Sequence, residues 1–415
     1  MPIQPAHRRR GDLCPGLLRP FPAEDGAIIR LRLPGGAAPV ALLTHLLQIA
    51  REGAGFLQLT SRGNIQLRGL PDPLTGDIVD AVMATGLIPS PAHERVRNIL
   101  ASPLSGWWPR NVPGGPEAVA DVRSVVAETD RLLCADPDLA GLPGRFLFAV
   151  DDGRGDLLGE PFDIAYRAVT ADSGEVRLAG ASRGCTVSAR EAASALIDVA
   201  RAFQQIRRST QPAPWHVREL DADQLRALLR AAQATRAGGT DPWEEEPAAA
   251  AEPAADARSS LAPDETRPAP RPSGTRLEPG PIGPHAVVGL PLGRITAAGL
   301  NTLAQVTDTV LLTPWRSLVV PGAADRLAEL TDFATGPDSG WARISACTGT
   351  PGCARGRANT EAVARDLVAA VDHGTIHLAE PVHLVACDRH CGATAQQRHL
   401  LLTSDSAGDV IALLR

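Results

Sequence analysis

The chain has 415 residues, 44% of them hydrophobic, and a formal net charge of −6. That length allows several domains with sizeable cores. The mildly acidic balance, with no basic domain, speaks against a nucleic-acid partner, and the lack of any apolar run of about 18 residues speaks against a membrane span. Arg8, Arg9 and Arg10 have no apolar stretch behind them. No export signal is therefore expected, and the cytoplasm is the expected compartment. Every cation among the 41 Lys and Arg residues is arginine, so an arginine can stand where a relative uses lysine.

Taken in chain order, residues 27–31 read as a strand, and Leu42, Leu43, Leu46, Leu47 and Ile49 give residues 40–50 a helical period. Strands are expected at 56–60 and 65–68, joined by a turn at Arg62-Gly63-Asn64. Further strands fall near 146–150 and 176–178, with helices near 191–204 and 222–232. Residues 237–273 form an Ala/Pro/Glu-rich run with almost no aliphatic side chains, expected to be a disordered linker. The first pattern then returns: a strand at 286–290, a helix at 295–306, and strands at 310–313 and 318–320 around the turn Pro314-Trp315-Arg316. Leu59-Thr60 and Gly69 match Leu312-Thr313 and Gly322 on one offset. A βαββ unit is used twice, which predicts an α+β fold of two half-domains related by a pseudo-twofold. A helix at 360–370 and a strand at 382–386 follow.

Four cysteines close the chain's chemistry. Cys347 and Cys353 are spaced C-x5-C, and Cys387 and Cys391 are spaced C-x3-C. Two close pairs on two loops suit one four-thiolate metal site. A [4Fe-4S] cluster takes four Cys thiolates; zinc can also take four, though usually from tighter pairs, as in a non-enzymatic protein with a structural zinc, and disulfides are the remaining reading. Cys14, Cys134 and Cys185 show no such spacing and read as small buried hydrophobes.

These residues resemble the nitrite and sulfite reductase superfamily over nearly the whole chain apart from the linker. Thr60-Ser61-Arg62-Gly63 stands where the family has Thr-x-Arg-Gly/Gln, Arg97-Asn98 precedes Pro103-x-x-Gly106 as in the family, and the cysteine spacing is the family's. The resemblance implies ferredoxin-like half-domains at 8–72 and 274–335, an α/β domain at 73–236, the linker at 237–273 and a cluster-binding α/β domain at 336–415. It implies a [4Fe-4S] cluster on Cys347, Cys353, Cys387 and Cys391.

Within the superfamily, Arg10-Gly11-Asp12-Leu13-Cys14-Pro15-Gly16 and the stretch from Leu142-Pro143 to Asp151-Asp152-Gly153 resemble the branch of oxygen-dependent cobalamin biosynthesis that acts on precorrin-3A. Sulfite and nitrite reductases place two cations or amides on alternate residues of one strand there, which share a face. Here Arg145 fills the first place and Leu147 the second, so the site looks adapted to something other than a small anion. The implied reaction puts one oxygen atom from O2 on a meso carbon of precorrin-3A and closes an acetate to a γ-lactone, giving precorrin-3B. The implied binders of the tetrapyrrole carboxylates are Arg62, Arg68, Arg97 and Arg145, with Gln66 and Asn98 as hydrogen-bonding amides. A separate mononuclear non-haem iron and an electron donor are also implied. The histidines, His45, His285 and His390 among them, show no ligand spacing for that iron. The alternative is a siroheme-dependent nitrite or sulfite reductase.

Deleting residues 244–268 is expected to leave secondary-structure content and bound iron unchanged by circular dichroism and metal analysis; loss of solubility would show that this segment is structural.

Overall fold

The computed structural model describes residues 11–107, 119–181, 184–233, 276–392, 398–402 and 405–414. The expected linker and Arg10 of the N-terminal motif lie outside the described residues. The described residues group into two compact units, one built from Leu13–Asn98 with Leu277–Arg415 and one built largely from Ile99–Asn111 with Pro116–Arg276.

In the first unit the repeated pattern forms two five-stranded sheets. The first copy supplies Gly26–Leu31, the helix Val40–Ala50, Leu57–Leu59 and Ile65–Leu70. The second supplies His285–Gly289, the helix Ala297–Val306, Thr309–Leu312 and Ser317–Val320. Gly69 and Gly322 take φ of 70° and 69°, the left-handed turn that glycine adopts without a Cβ clash. Each copy adds a short outer strand, Phe21–Ala23 or Gly280–Ile282, too brief to show an alternating pattern.

The copies also exchange strands, which the sequence does not announce. Ala37–Pro39 of the first copy pairs with Thr309–Leu312 of the second, placing Ala38 opposite Val310. Arg294–Ile295 of the second pairs with Leu57–Leu59 of the first, placing Ile295 opposite Leu57. The exchange carries into the helix ends. No side chain caps Val40–Ala50; instead the Val40 N–H donates to the Asp308 carbonyl at 2.8 Å. Leu43, Leu46 and Leu47 from the first helix and Leu300 and Leu303 from the second enter one shared hydrophobic core.

The helix Gly76–Ala84 adds Ile78 and Val82 to the same core. The break expected after residue 72 therefore falls inside this unit, which runs on to Asn98. A smaller parallel sheet of Ile344–Ala346, Val382–Val385 and Arg398–Leu401 completes it. The helix Thr360–Asp372 makes the crossover that parallel strands require, burying Val363, Ala364 and Leu367.

The second unit has a five-stranded sheet in the order Cys185–Ser188, Ser173–Leu178, Ile164–Ala168, Phe148–Asp151, Ile99–Ala101. The helices Arg123–Ala135, Ala192–Ser209 and Ala222–Gln233 belong to the same unit, and Phe203 packs against Phe146 with ring centroids 4.9 Å apart.

Leu303→Ala is expected to cost about 2–5 kcal/mol. Because the core is shared, hydrogen exchange should quicken in the strands of both half-domain sheets; a change confined to the second copy would mean the copies are energetically separate.

Candidate metal centre and adjoining cleft

The smaller parallel sheet delivers the cysteines. Cys347 follows Ile344–Ala346, and Cys387 lies two residues beyond Val382–Val385. Ala346 pairs with Leu384, so both cysteines sit at the carboxyl ends of neighbouring parallel strands, where open α/β sheets place their ligands. The Cys347 N–H donates to the Leu384 carbonyl at 2.9 Å, and the Thr360 hydroxyl at the start of the helix donates to the Cys347 carbonyl at 2.7 Å. The Ala386 N–H points at the Cys347 Sγ from 3.3 Å. Gly349 holds φ at 60°, and a Cβ there would lie 2.5 Å from the Thr360 hydroxyl, so the loop needs glycine at this point.

Desolvation pushes the Cys391 thiol above its ordinary value, and the nearby Cys387, Cys347 and Cys353 push it the same way. The four sulfurs therefore share one electrostatic neighbourhood, in which a set of thiolates calls for a compensating cationic group. His383 is fully buried. Burial, then the charge of Arg316, lowers its pKa to about 4. It is neutral near pH 7, so Nε2 donates to the Cys391 carbonyl at 3.0 Å and Nδ1 accepts from the Ser345 hydroxyl at 2.8 Å.

A cleft of about 190 Å3 opens beside these sulfurs. Arg30, Gln58, Arg62, Gln66 and Arg316 line it together with Cys347, Thr348 and Cys391. Gln66 pairs with Arg30 on one side and with Gln58 on the other, so the three share one sheet face. The Arg30 guanidinium donates to Gln66 Oε1 at 3.0 Å, and Gln66 Nε2 donates to Gln58 Oε1 at 3.2 Å. Arg62 rides on a turn in which Thr60 Oγ1 accepts from the backbone N–H of Arg62 and of Asn64.

Of the expected binding residues, the structure brings Arg62 and Gln66 to the sulfurs and gives the others different work. Arg68 is buried, grips Asp25 through two bonds of 2.6 and 2.9 Å, and donates to the Thr348 hydroxyl and the Gly352 carbonyl. Its guanidinium braces the first cysteine loop and does not line the cleft. Arg97 is buried and donates to the Leu87 carbonyl at 2.6 Å. Asn98 is buried as well; its Oδ1 accepts from Asn64 at 3.1 Å and its Nδ2 donates to the Arg95 carbonyl at 3.2 Å. Neither lines the cleft; Asn98 steadies the turn that presents Arg62. Arg145 is exposed on the second unit. Leu147 does not share an open face with Arg145: it is buried among Leu100, Ala149, Leu157 and Ala165. The contrast between a cation and a leucine at that position is therefore one of core packing.

Arg30 and Arg316 were missed by sequence reasoning. Arg30 could have been found as the charged residue of an otherwise apolar strand, facing away from Ile29. Arg316 could have been found from the repeat, whose offset from Thr60 to Thr313 sets it opposite Gly63.

Among the described residues, Asp151, Asp152 and Asp156 of the second unit are the one set of three ligand-type side chains whose atoms lie within 4.8 Å of one another. All three are buried. Asp151 accepts from the backbone N–H groups of Gly153, Gly155 and Leu157, Asp152 pairs with Arg154, and Asp156 accepts from the Ser102 hydroxyl at 2.7 Å. Burial raises Asp152 to about 6, and burial together with Asp151 and Asp152 holds Asp156 well above the ordinary carboxylate range.

Residues 21–84 match the nitrite/sulfite reductase ferredoxin-like half domain. The fold as a whole is that of nitrite and sulfite reductases, with two ferredoxin-like half-domains and two further α/β parts. The NirA protein of Mycobacterium tuberculosis superposes with a TM-score of 0.66 at 20% identity, over 88% of this chain and 69% of its own. Among curated proteins, the chain resembles the precorrin-3B synthase of Sinorhizobium sp, at 25% identity over 93% of this chain and 79% of that protein. A ferredoxin–nitrite reductase of Synechococcus elongatus is 30% identical over 34% of this chain and 28% of its own length. These relatives are oxidoreductases.

The folded-state pKa of Asp156 exceeds its unfolded value, so folding favours the protonated carboxyl. Stability is lost as pH rises from about 4 through the folded value. Asp156→Asn removes that loss, so its melting temperature should exceed the parent's by a margin that widens as pH rises above 4; a margin independent of pH would refute the assignment.

Proposed function

We propose that the chain is an oxygen-dependent oxidoreductase that converts precorrin-3A to precorrin-3B. The observation that carries this reading is the single cleft in which Arg30, Arg62, Gln58 and Gln66 meet Cys347 and Cys391. Similarity to a precorrin-3B synthase along 93% of the chain supports it, against 34% for the reductases.

The cysteine set suits a [4Fe-4S] cluster: four thiolates from two loops, a backbone N–H aimed at one sulfur, and glycines where the loop must turn. Such a cluster supplies single electrons, which O2 chemistry on a closed-shell substrate needs. The chain's own residues bind and orient. Arg62 and Arg30 offer planar guanidinium forks to peripheral carboxylates. Gln66 and Gln58 form a polar row that accepts and donates to the same edge. The cleft presents a cationic, amide-bearing wall that suits the carboxylate edge of the macrocycle. A mononuclear iron for oxygen activation is part of the proposal, with ligands outside the cysteine set.

The siroheme reductase reading rests on one observation: Cys391 lines the cleft, so its sulfur could also reach an iron bound there. Anaerobic purification with iron, acid-labile sulfide and visible absorption separates the readings. The wild type is expected to hold iron and sulfide without a siroheme band. Cys353→Ser should lose the sulfide, while Cys134→Ser keeps it. Arg62→Ala should weaken precorrin-3A binding by roughly 1.5–3 kcal/mol. Stoichiometric siroheme with nitrite or sulfite turnover would promote the reductase reading.

A further inference from the structure

The turn at Thr313–Ser317 repeats the turn at Thr60–Asn64. Thr60 N donates to the Asn64 carbonyl at 2.9 Å, and Thr313 N donates to the Ser317 carbonyl at 3.1 Å. Thr60 Oγ1 accepts from the N–H of Arg62 and Asn64; Thr313 Oγ1 accepts from the N–H of Trp315 and Ser317. At the fourth position the first turn has Gly63 with φ 62°, and the second has Arg316 with φ 57°. The left-handed conformation costs a residue that carries a Cβ, and such strain persists where the surroundings demand the side chain.

The surroundings of Arg316 are shaped to receive it. Its side chain passes two glycines that are themselves left-handed, Gly293 at φ 69° and Gly392 at φ 83°. A Cβ on Gly293 would lie 3.0 Å from the Arg316 Cδ, and one on Gly392 would lie 2.0 Å from its terminal nitrogen. That nitrogen donates to the Gly392 carbonyl at 2.9 Å, beside Cys391. Arg316 also lines the cleft together with Cys347 and Cys391.

We propose that Arg316 is a positioning residue for the cysteine set: its guanidinium fixes the segment beside Cys391 and holds a permanent positive charge at the sulfur end of the cleft. That charge favours the reduced form of the group the thiolates hold, because reduction adds negative charge next to it. The second half-domain thus adds a cation beside Cys391, where Arg389 also acts on the sulfur, and the first supplies those at the substrate edge. The inference rests on the reading of the four cysteines as cluster ligands.

The test uses the full chain reconstituted anaerobically with iron and sulfide, as wild type, Arg316→Lys, Arg316→Gln and Arg316→Gly. Arg316→Gly restores the residue of the matching turn, so it relieves the backbone while removing the charge. Arg316→Gly and Arg316→Gln are expected to keep iron and sulfide but to lower the reduced-to-oxidised ratio at fixed potential about tenfold, which is about 59 mV for a one-electron couple. Arg316→Lys should retain most of the wild-type ratio. An unchanged midpoint in Arg316→Gly overturns the charge role. Hydrogen exchange of the 387–392 peptide, measured in the metal-free chain, tests the positioning role without a cluster: it should rise about tenfold in Arg316→Gln, and unchanged exchange overturns the proposal. A wild type that takes up no iron or sulfide removes the cluster reading, and the exchange measurement still decides whether Arg316 holds the segment.

Discussion

Each half-domain sheet is completed by a strand from the other copy. The pairings of Ala37–Pro39 with Thr309–Leu312 and of Arg294–Ile295 with Leu57–Leu59 make the two copies one folding object. A backbone edge left unpaired would be costly once covered, and the exchange covers two edges at once. It also sets the geometry of the cleft, because Arg294 lies opposite Gln58, at the end of the row Arg30, Gln66, Gln58. Arg294 reaches on to Glu361 with bonds of 3.0 and 2.7 Å. Glu361 lies in the first turn of the helix that starts beside Cys347. One exchanged strand thus ties the polar sheet face to the helix behind the cysteine loop.

Arg68 and Arg97 brace the scaffold, while three other arginines of this unit line the cleft. Arg68 is paired with Asp25 and holds Thr348 and Gly352; Arg97 holds a carbonyl. Both are buried, and a buried guanidinium is kept only where donors find acceptors. Arg30, Arg62 and Arg316 line the cleft, where charge can meet a ligand. The motif Arg97-Asn98 therefore acts at one remove: Asn98 holds Asn64, and the Thr60–Asn64 turn presents Arg62.

The second unit shows how a familiar pattern can change meaning once packed. The Asp-Asp-Gly stretch ends in a buried carboxylate trio, with Asp151 accepting three backbone N–H groups. Leu147 closes a small apolar cluster. An alternating pattern names two faces of a strand but cannot say which of them is open.

The repeated βαββ pattern was legible in the chain because helical and strand periods are local properties: Leu43, Leu46 and Leu47 mark one buried helix face whatever surrounds them. The cysteine quartet was visible as two close pairs for a similar reason, since spacing along the chain is local, but that both pairs end neighbouring strands of one small sheet is tertiary. The two exchanged strands were not visible, because segments of two or three residues carry no period and are defined only by their partners. Nor was the sorting of arginines, since Arg62 and Arg68 look alike in a linear chain, and only the fold brings Asp25, Thr348 and Gly352 to Arg68. Arg316 was the least visible. Its backbone conformation, its path past Gly293 and Gly392, and its place beside Cys391 come from segments far apart in sequence. The sequence by itself determined the elements and the spacing of the four thiols, and tertiary structure decided which charges face the cleft, because exposure depends on what packs against a side chain and not on its neighbours along the chain.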